Sequence, residues 1–450
     1  MAVRFLRVVV SVLVLASVFM RPAFGMGNIA TSYGVLPSDV ASAQALSLFN
    51  PQVSAVYYNP ARLVAEEGGE LTVGLFHAEQ ELRVDSQGGS SPPDRDGDVL
   101  ANTPSQHVLL GMKTDLTDLT VWDHPIYFGV MIGVEKYGGE MLAFESRTSK
   151  EGQFMRFSRQ PLFLTLGGGT RLWRGIDAGI GARVTLHSDA TLITESTLGG
   201  DTDFEELEVE AEPDIRPILG LNMNWGETWG ELFGCQEGCW MDDLETAFSW
   251  RTSSNTQTSV TSEVVIPGTI DDDEPLELSI LALDSWQPDI YALGTRYQWG
   301  RFNIGVTAEY QRWSHLERDL RDDTIKDQAE LEFNDILIPR LGVETRISDI
   351  FTVNTGLAWE ESPLESEESM DVNYLDSDRL VFGLGATAEL DHFPWLAYPI
   401  RLDIGYQYHH LRDRDFDLVH QDYEDGDESY ETVTADGDIH VLGGTLSMRF

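Results

Sequence analysis

Cysteine is nearly missing from this chain: Cys235 and Cys239 are the only two in 450 residues. Basic residues are scarce, 30 against 75 acidic ones, and the net charge is −45. A polyanion of that size repels phosphate backbones, which excludes nucleic acid as a partner. Beyond residue 25 no apolar run reaches the roughly 18 residues that a membrane helix needs, so a helical bundle is excluded as well. No His pair has metal-ligand spacing with a carboxylate beside it. What is present is the composition of a folded chain, 42% hydrophobic and 10% aromatic, well above that of a disordered one.

The first 25 residues read as a cleaved secretory signal. Arg4 and Arg7 give a basic start, and Val8 to Met20 is apolar but too short to span a bilayer. Pro22 breaks the run, and Ala23-Phe24-Gly25 offers the small residues a signal peptidase needs. No Cys follows directly to carry a lipid anchor. In an exported protein the close pair Cys235 and Cys239 is most simply a disulfide. A CxxxC metal half-site is the alternative, but nothing nearby in sequence supplies the remaining ligands.

The mature chain alternates at period two. Ile400, Leu402, Ile404, Tyr406 and Tyr408 form one face, against Arg401, Asp403, Gly405, Gln407 and His409. Phe302 to Tyr310, Leu337 to Ile347 and Leu380 to Leu390 repeat the pattern. A soluble β-sandwich also alternates, but its strands usually run about 5 or 6 residues, and these run about 10 to 15. Their connections alternate short and long, and their polar faces are rich in charge. These features together predict an all-β fold: a 14-stranded antiparallel transmembrane β-barrel with lipid outside and a polar lumen. The strands are expected near 70–83, 105–118, 124–137, 159–173, 176–194, 213–226, 244–260, 286–299, 301–316, 335–347, 350–361, 377–391, 399–411 and 437–450. Long loops are expected at 84–104, 138–158, 195–212, 261–285, 317–334, 362–376 and 412–436. The acids concentrate in those loops, as at Asp271-Asp272-Asp273-Glu274. Such runs are either plain solvated loops or places for divalent cations beside anionic lipopolysaccharide.

Trp122, Trp173, Trp225, Trp299 and Trp395 fall at or near the short-turn rim, where a barrel carries an aromatic girdle. The chain ends on an outward-facing Phe450, which resembles the C-terminal signature read by the barrel-assembly machinery of Gram-negative bacteria. This places the protein in the outer membrane, with lipid and lipopolysaccharide as neighbours and a monomer as the expected state.

Residues 26–68 do not alternate, and the first strand begins only near Glu70. A barrel of about 14 strands leaves a channel unless something fills it. The segment is therefore expected to enter the lumen as a hatch, with a mobile tail as the alternative. The expected organisation is signal peptide 1–25, N-terminal hatch 26–68 and barrel 69–450.

Val56-Tyr57-Tyr58-Asn59-Pro60-Ala61, after an Ala-rich stretch, resembles the hatch of FadL-type long-chain fatty-acid transporters, a family that includes TodX-like aromatic-hydrocarbon channels. Gly356 to Pro363, ending in Glu360-Glu361-Ser362-Pro363, and Tyr374 to Arg379, with Asp376-Ser377-Asp378-Arg379, resemble two further family segments. The resemblance covers the mature chain. It implies passive, cofactor-free uptake of hydrophobic small molecules through a barrel gated by a hatch at Tyr57, Tyr58, Asn59, Pro60 and Ala61. It also implies sideways release at a kinked third strand. Here that strand carries Gly129 and Gly133 and is followed by Gly138 and Gly139; these glycines permit a bulge or serve close packing. The acidic loops depart from the greasy ones expected of the family.

Arg183, Arg296, Arg340 and Arg401 share the polar faces of their strands with Glu309, Glu344, Glu389 and Asp403. They are candidates either to hold a ligand carboxylate or to form an ion-pair ladder between barrel and hatch. An enzyme is not indicated, because Ser314-His315 and His409-His410 are neighbours on a strand and point to opposite faces. A diffusion porin for small polar solutes and an acidic adhesion or structural barrel are the competing functions.

Overall fold

The computed structural model describes residues 29–89, 104–121, 124–136, 162–196, 202–235, 239–265, 276–321, 332–365, 368–370, 376–391, 396–421 and 428–450. The signal segment, Trp122, Trp395, Gly138, Gly139 and much of the acidic loop sequence lie outside the described residues.

Among the described residues there are seventeen strands. They are β1 (Glu70–Gly89), β2 (Ser105–Asp115), β3 (Ile126–Lys136), β4 (Leu162–Trp173), β5 (Ile176–Ser196) and β6 (Thr202–Asn224). Then come β7 (Leu244–Arg251), β8 (Ser254–Val265), β9 (Leu276–Gln287), β10 (Asp289–Trp299), β11 (Phe302–Arg312) and β12 (Ile336–Arg346). The last five are β13 (Phe351–Glu360), β14 (Glu368–Met370), β15 (Arg379–Leu390), β16 (Ile400–Gln421) and β17 (Glu428–Arg449). Fourteen of them close a barrel. Each pairs antiparallel with its neighbour, β7 passes directly to β10 and β13 to β15, and β1 meets β17 from Glu70↔Arg449 up to Gly89↔Glu431. Closure leaves no free edge in the membrane, where an unpaired backbone group is costly.

Each expected strand is found, with three differences at the long-loop side. The span expected as one strand over 244–260 breaks after Arg251, and β8 and β9 form a hairpin in what was expected to be a loop. This hairpin also pairs β8 with β5 in parallel. The strands β1, β6, β16 and β17 run well past their expected ends, because pairing continues beyond the lipid, where an outward residue no longer has to be apolar. Ser314 and His315 lie in a short helix, Ser314–Arg321, that follows β11 rather than in the strand itself.

The alternation sorts lipid from lumen. Leu337, Leu341, Leu357, Leu380, Leu402 and Ile404 are exposed on the outside, while Arg340, Gly356, Val381 and Asp403 face inward. Two aromatic girdles bound the outer surface. Trp173, Trp299 and Tyr398 stand at the short-turn rim. Across the wall, Trp250 stacks on Tyr291, with ring centroids 6.1 Å apart, and Tyr291 is 6.5 Å from Tyr310. Tyr291 and Trp299 on β10 are eight residues apart, about 26 Å along a strand at roughly 3.3 Å per residue, which suits a bilayer core.

The N-terminal segment is packed inside the strands. From Ala30 to Val64 nearly every residue is buried, in short helical turns at Pro37–Ala41, Ser47–Phe49, Ala55–Tyr58 and Pro60–Val64. Asp39 ties them together: it accepts from the Leu36 amide at 2.9 Å, Ser47 Oγ at 2.7 Å and Asn50 Nδ2 at 3.2 Å. Between the turns, Ala43 and Gln44 adopt left-handed backbone, with φ of 47° and 63°.

Candidate functional site

The inner wall is layered. Nearest the short-turn rim is a charged tier. Arg401 binds Asp403 at 2.9 Å and Glu389 at 3.5 Å, while Glu245 accepts from Arg296 at 2.6 Å and lies 3.4 Å from Arg62. Arg401, Glu389, Glu245, Arg296 and Arg62 line a cavity of about 530 Å³ together with Glu344 and Arg346. A space lined this way is a polar vestibule and a poor one for a hydrocarbon.

Above it runs a belt of inward glycines that pair with each other across strands. Gly305 faces Gly342, Gly342 faces Gly356 and Gly356 faces Gly383. Gly385, Gly405 and Gly443 continue the belt, and Gly129, Gly167 and Gly181 form a second arc on the other side. The N-terminal segment occupies the room this leaves. A Cβ at Gly356 would fall on the Ser42 carbonyl, one at Gly405 on the Pro37 carbonyl, and one at Gly179 on the Pro60–Ala61 peptide.

The residues singled out in the segment all touch this wall. Asn59 Nδ2 donates to the carbonyls of Leu48 at 3.0 Å and Leu221 at 3.3 Å, and its Oδ1 caps the Ala61 amide at 3.2 Å. Pro60 sits between Gly169 and Gly179. Ala61 is fully buried. The rings of Tyr57 and Tyr58 lie 4.9 and 5.4 Å from the Arg251 guanidinium, a buried cation–π pair of contacts. Burial pushes the Tyr58 hydroxyl well above its ordinary pKa.

A polar tier follows. Arg340 Nη1 donates to the Ala43 carbonyl at 3.1 Å, and its other nitrogen lies 3.6 Å from Glu309. Arg251 binds the same Glu309 at 2.6 Å. Arg183 donates to Gln287 at 2.6 Å, and Gln287 also accepts from Tyr57 at 3.1 Å. Gln407 and Thr307 donate to the carbonyls of Val40 and Ala45. Thus Arg340 binds the segment directly, Arg183 through the shared Gln287, and Arg296 and Arg401 belong to the charged tier.

Nearest the long-loop side the lumen is apolar. Ile336, Ile338, Val381, Leu411, Ile439 and Val441 turn inward from the wall, and Trp286, Trp313, Leu316, Phe333, Leu364 and Phe416 close over them. The rings of Trp286 and Trp313 are 5.1 Å apart. Tyr33 reaches this tier from the N-terminal segment and stacks on Phe76 at 5.6 Å. The tier is walled off from solvent by the motifs around Ser362 and Asp376. Ser362 Oγ donates to Asp376 at 2.9 Å, the Ser362 amide to Asp378 at 3.0 Å, and Arg414 binds Ser362 and the Leu364 carbonyl.

Arg251, the glycine belt apart from Gly129, and the apolar tier were not singled out in the sequence. The signal for Arg251 was available: Ala247, Ser249 and Arg251 are the inward positions of β7. Gly129 and Gly133 lie in a strand whose register runs without a shift against both β2 and β4, and the space inside Gly129 is filled by Val56 and Leu63. Cys235 and Cys239 are joined as a disulfide, with Cα atoms 5.8 Å apart. Among the described residues no group of three or more His, Cys, Asp or Glu is placed to hold a metal ion.

Residues 281–450 match the family described as "Outer membrane protein transport protein (OMPP1/FadL/TodX)". The chain is 50% identical to alkane uptake protein A of Marinobacter nauticus over 442 residues, 97% of this chain and 94% of that one. Among solved structures it resembles a Pseudomonas aeruginosa FadL homologue, with a TM-score of 0.58 at 16% identity, covering 95% of this chain and 99% of the other. It also resembles the P. putida toluene transporter TodX, with a TM-score of 0.53 at 11% identity, covering 93% and 99%. Half-identity along almost the whole chain, on a closed barrel of 14 strands, shows that the protein belongs to the FadL/TodX family of outer-membrane transport proteins.

Proposed function

We propose that this outer-membrane uptake channel for hydrophobic compounds carries alkanes. The observation that bears this reading is the apolar tier of the lumen, enclosed by Ile336, Ile338, Val381, Trp286, Trp313 and Phe416 and continuous with the N-terminal segment through Tyr33 and Val40. The relative at 50% identity is an alkane uptake protein. An alkane has no hydrogen-bonding group to satisfy, so apolar walls and exclusion of water supply its affinity. The lipopolysaccharide layer outside is polar, and an apolar interior behind it lowers the barrier to entry.

In this reading residues 29–65 are the hatch. They separate the apolar tier from the charged vestibule, and they are held by Arg340, Gln407, Thr307, Asn59 and Arg251 rather than by a covalent tie. Passage is downhill and needs no cofactor. Arg183 and Arg340 are engaged with Gln287, Glu309 and Ala43, which favours the ion-pair and hatch-holding role over capture of a ligand carboxylate.

The test is uptake by cells that lack their own transporter, given labelled hexadecane, oleate, toluene or a small sugar. Uptake of hexadecane above the empty-vector level, reduced at least fivefold by Ile338→Asn with Val381→Asn, supports the reading. Sugar uptake without hexadecane uptake would make the protein a diffusion porin.

A further inference from the structure

The connection between β6 and β7 is the long exception on the short-turn rim. Barrels of this kind keep their periplasmic turns short, yet here residues 225–243 intervene, with a helical turn at Trp225–Trp229 and the Cys235–Cys239 disulfide. Three large apolar side chains on it face outward: Leu232 is 73% exposed, Phe233 69% and Trp240 62%. None of them belongs to the lumen.

Their placement is continuous with the lipid-facing surface. On β6 the outward residues Leu219, Leu221 and Met223 lead directly into Trp225. Trp225 Nε1 donates to Thr246 Oγ1 at 2.9 Å, which leaves its ring with no unmet polar need. Trp229 meets Trp173 of the lower girdle edge to face at 6.5 Å. The turn is tied down over the β4–β5 corner: Thr228 donates to the Arg174 carbonyl at 3.1 Å, and Arg174 binds Glu231 at 2.8 Å. The helical turn and the disulfide thus tie down the stretch of chain that carries Leu232, Phe233 and Trp240.

We propose that this stapled turn is a lipid-binding foot, which inserts Leu232, Phe233 and Trp240 among the headgroups and upper acyl chains of the periplasmic leaflet. Large apolar and aromatic side chains are the types that partition to that depth. Its surface adjoins one that the barrel already gives to lipid, which is why a phospholipid leaflet, rather than a soluble protein, is the occupant.

The full-length protein is reconstituted in vesicles of phosphatidylethanolamine and phosphatidylglycerol, with or without bromine on the acyl carbons nearest the headgroup. The Trp240 fluorescence is read as the difference between wild type and Trp240→Phe. A signal at least twofold weaker in brominated vesicles is expected. Leu232→Trp, read as a gain over wild type, is a second reporter should Trp240→Phe fail to form a heat-modifiable barrel. Equal signals in both kinds of vesicle would overturn the proposal, and that is the result a docking site for a periplasmic protein would give.

Discussion

Arg340 on β12 donates to the carbonyl of Ala43, the first of two consecutive non-glycine residues with left-handed backbone. The same guanidinium leans on Glu309, which Arg251 also holds, and Arg251 in turn lies over Tyr57 and Tyr58. One buried carboxylate thus couples two cations that reach two separate stretches of the N-terminal segment, at Ala43 and at Tyr57–Tyr58.

Arg340→Ala removes the donor to Ala43 and half of the charge that balances Glu309. Breaking a buried pair from one side costs about 3–5 kcal/mol. The expected result is faster protease cleavage between residues 30 and 65 and a higher single-channel conductance in planar bilayers, with the barrel still heat-modifiable on gels.

Gly356→Leu places a side chain where the Ser42 carbonyl now lies. The lipid-facing residues are untouched, so the barrel is expected to assemble. Overpacking costs roughly 1–3 kcal/mol even where side chains yield, and here backbone must move. Increased hydrogen exchange at residues 37–49 checks this, and Gly300→Leu on the open short turn, where no atom lies within 4 Å of the added Cβ, is not a matched control because its φ is 60°. Leu357→Ala, on the lipid face of the same strand, serves as the control and leaves exchange unchanged.

Burial holds the Asp39 carboxyl above its ordinary value of 3.8, although Ser47, Leu36 and Asn50 all donate to it. The packed segment therefore keeps a proton that the unpacked one has released. Native protons exceed unfolded ones, so stability falls as pH rises from about 4 through the raised value and is flat above it. Protease protection of residues 30–65 is expected to decline over that window. Asp39→Asn removes the decline.

Asn59→Ala deletes two donors to buried carbonyls and a helix cap. About 1–3 kcal/mol of packing is lost. Hexadecane uptake is expected to change more than twofold while the amount of barrel in the membrane stays constant by immunoblot.

The barrel was legible because two solvents, lipid and lumen, act on alternate residues of every strand. Where that contrast ends, so did the signal. Arg412 to Asp415 carry charge at four successive positions, and β16 was not expected to continue through them, although it does to Gln421. In the hairpin β8–β9 the contrast persists, with Leu276, Leu278 and Ile280 alternating with Glu277 and Ser279, and it was the acidic run Asp271 to Glu274 that made 261–285 read as a loop. Asn59 and Pro60 stood out from their neighbours in sequence. The tiers of the lumen did not, because Ile338, Arg340 and Gly342 alternate on one strand and acquire meaning only from Gly356, Ala43 and Glu309 beside them. The inward glycines were visible one by one as weak points of strands, and only register turns them into a seat.

The last residue returns to where the wall begins. Phe450 exchanges backbone hydrogen bonds with Gly69, and its ring covers that glycine. Since β17 must meet β1 to shut the cylinder, the barrel stays open until these two strands have paired. The glycine belt is closely filled by the N-terminal segment, with the Ser42, Pro37 and Pro60 backbone against Gly356, Gly405 and Gly179. Wall and N-terminal segment thus share one surface, and the seam between β1 and β17 closes the ring that seats it.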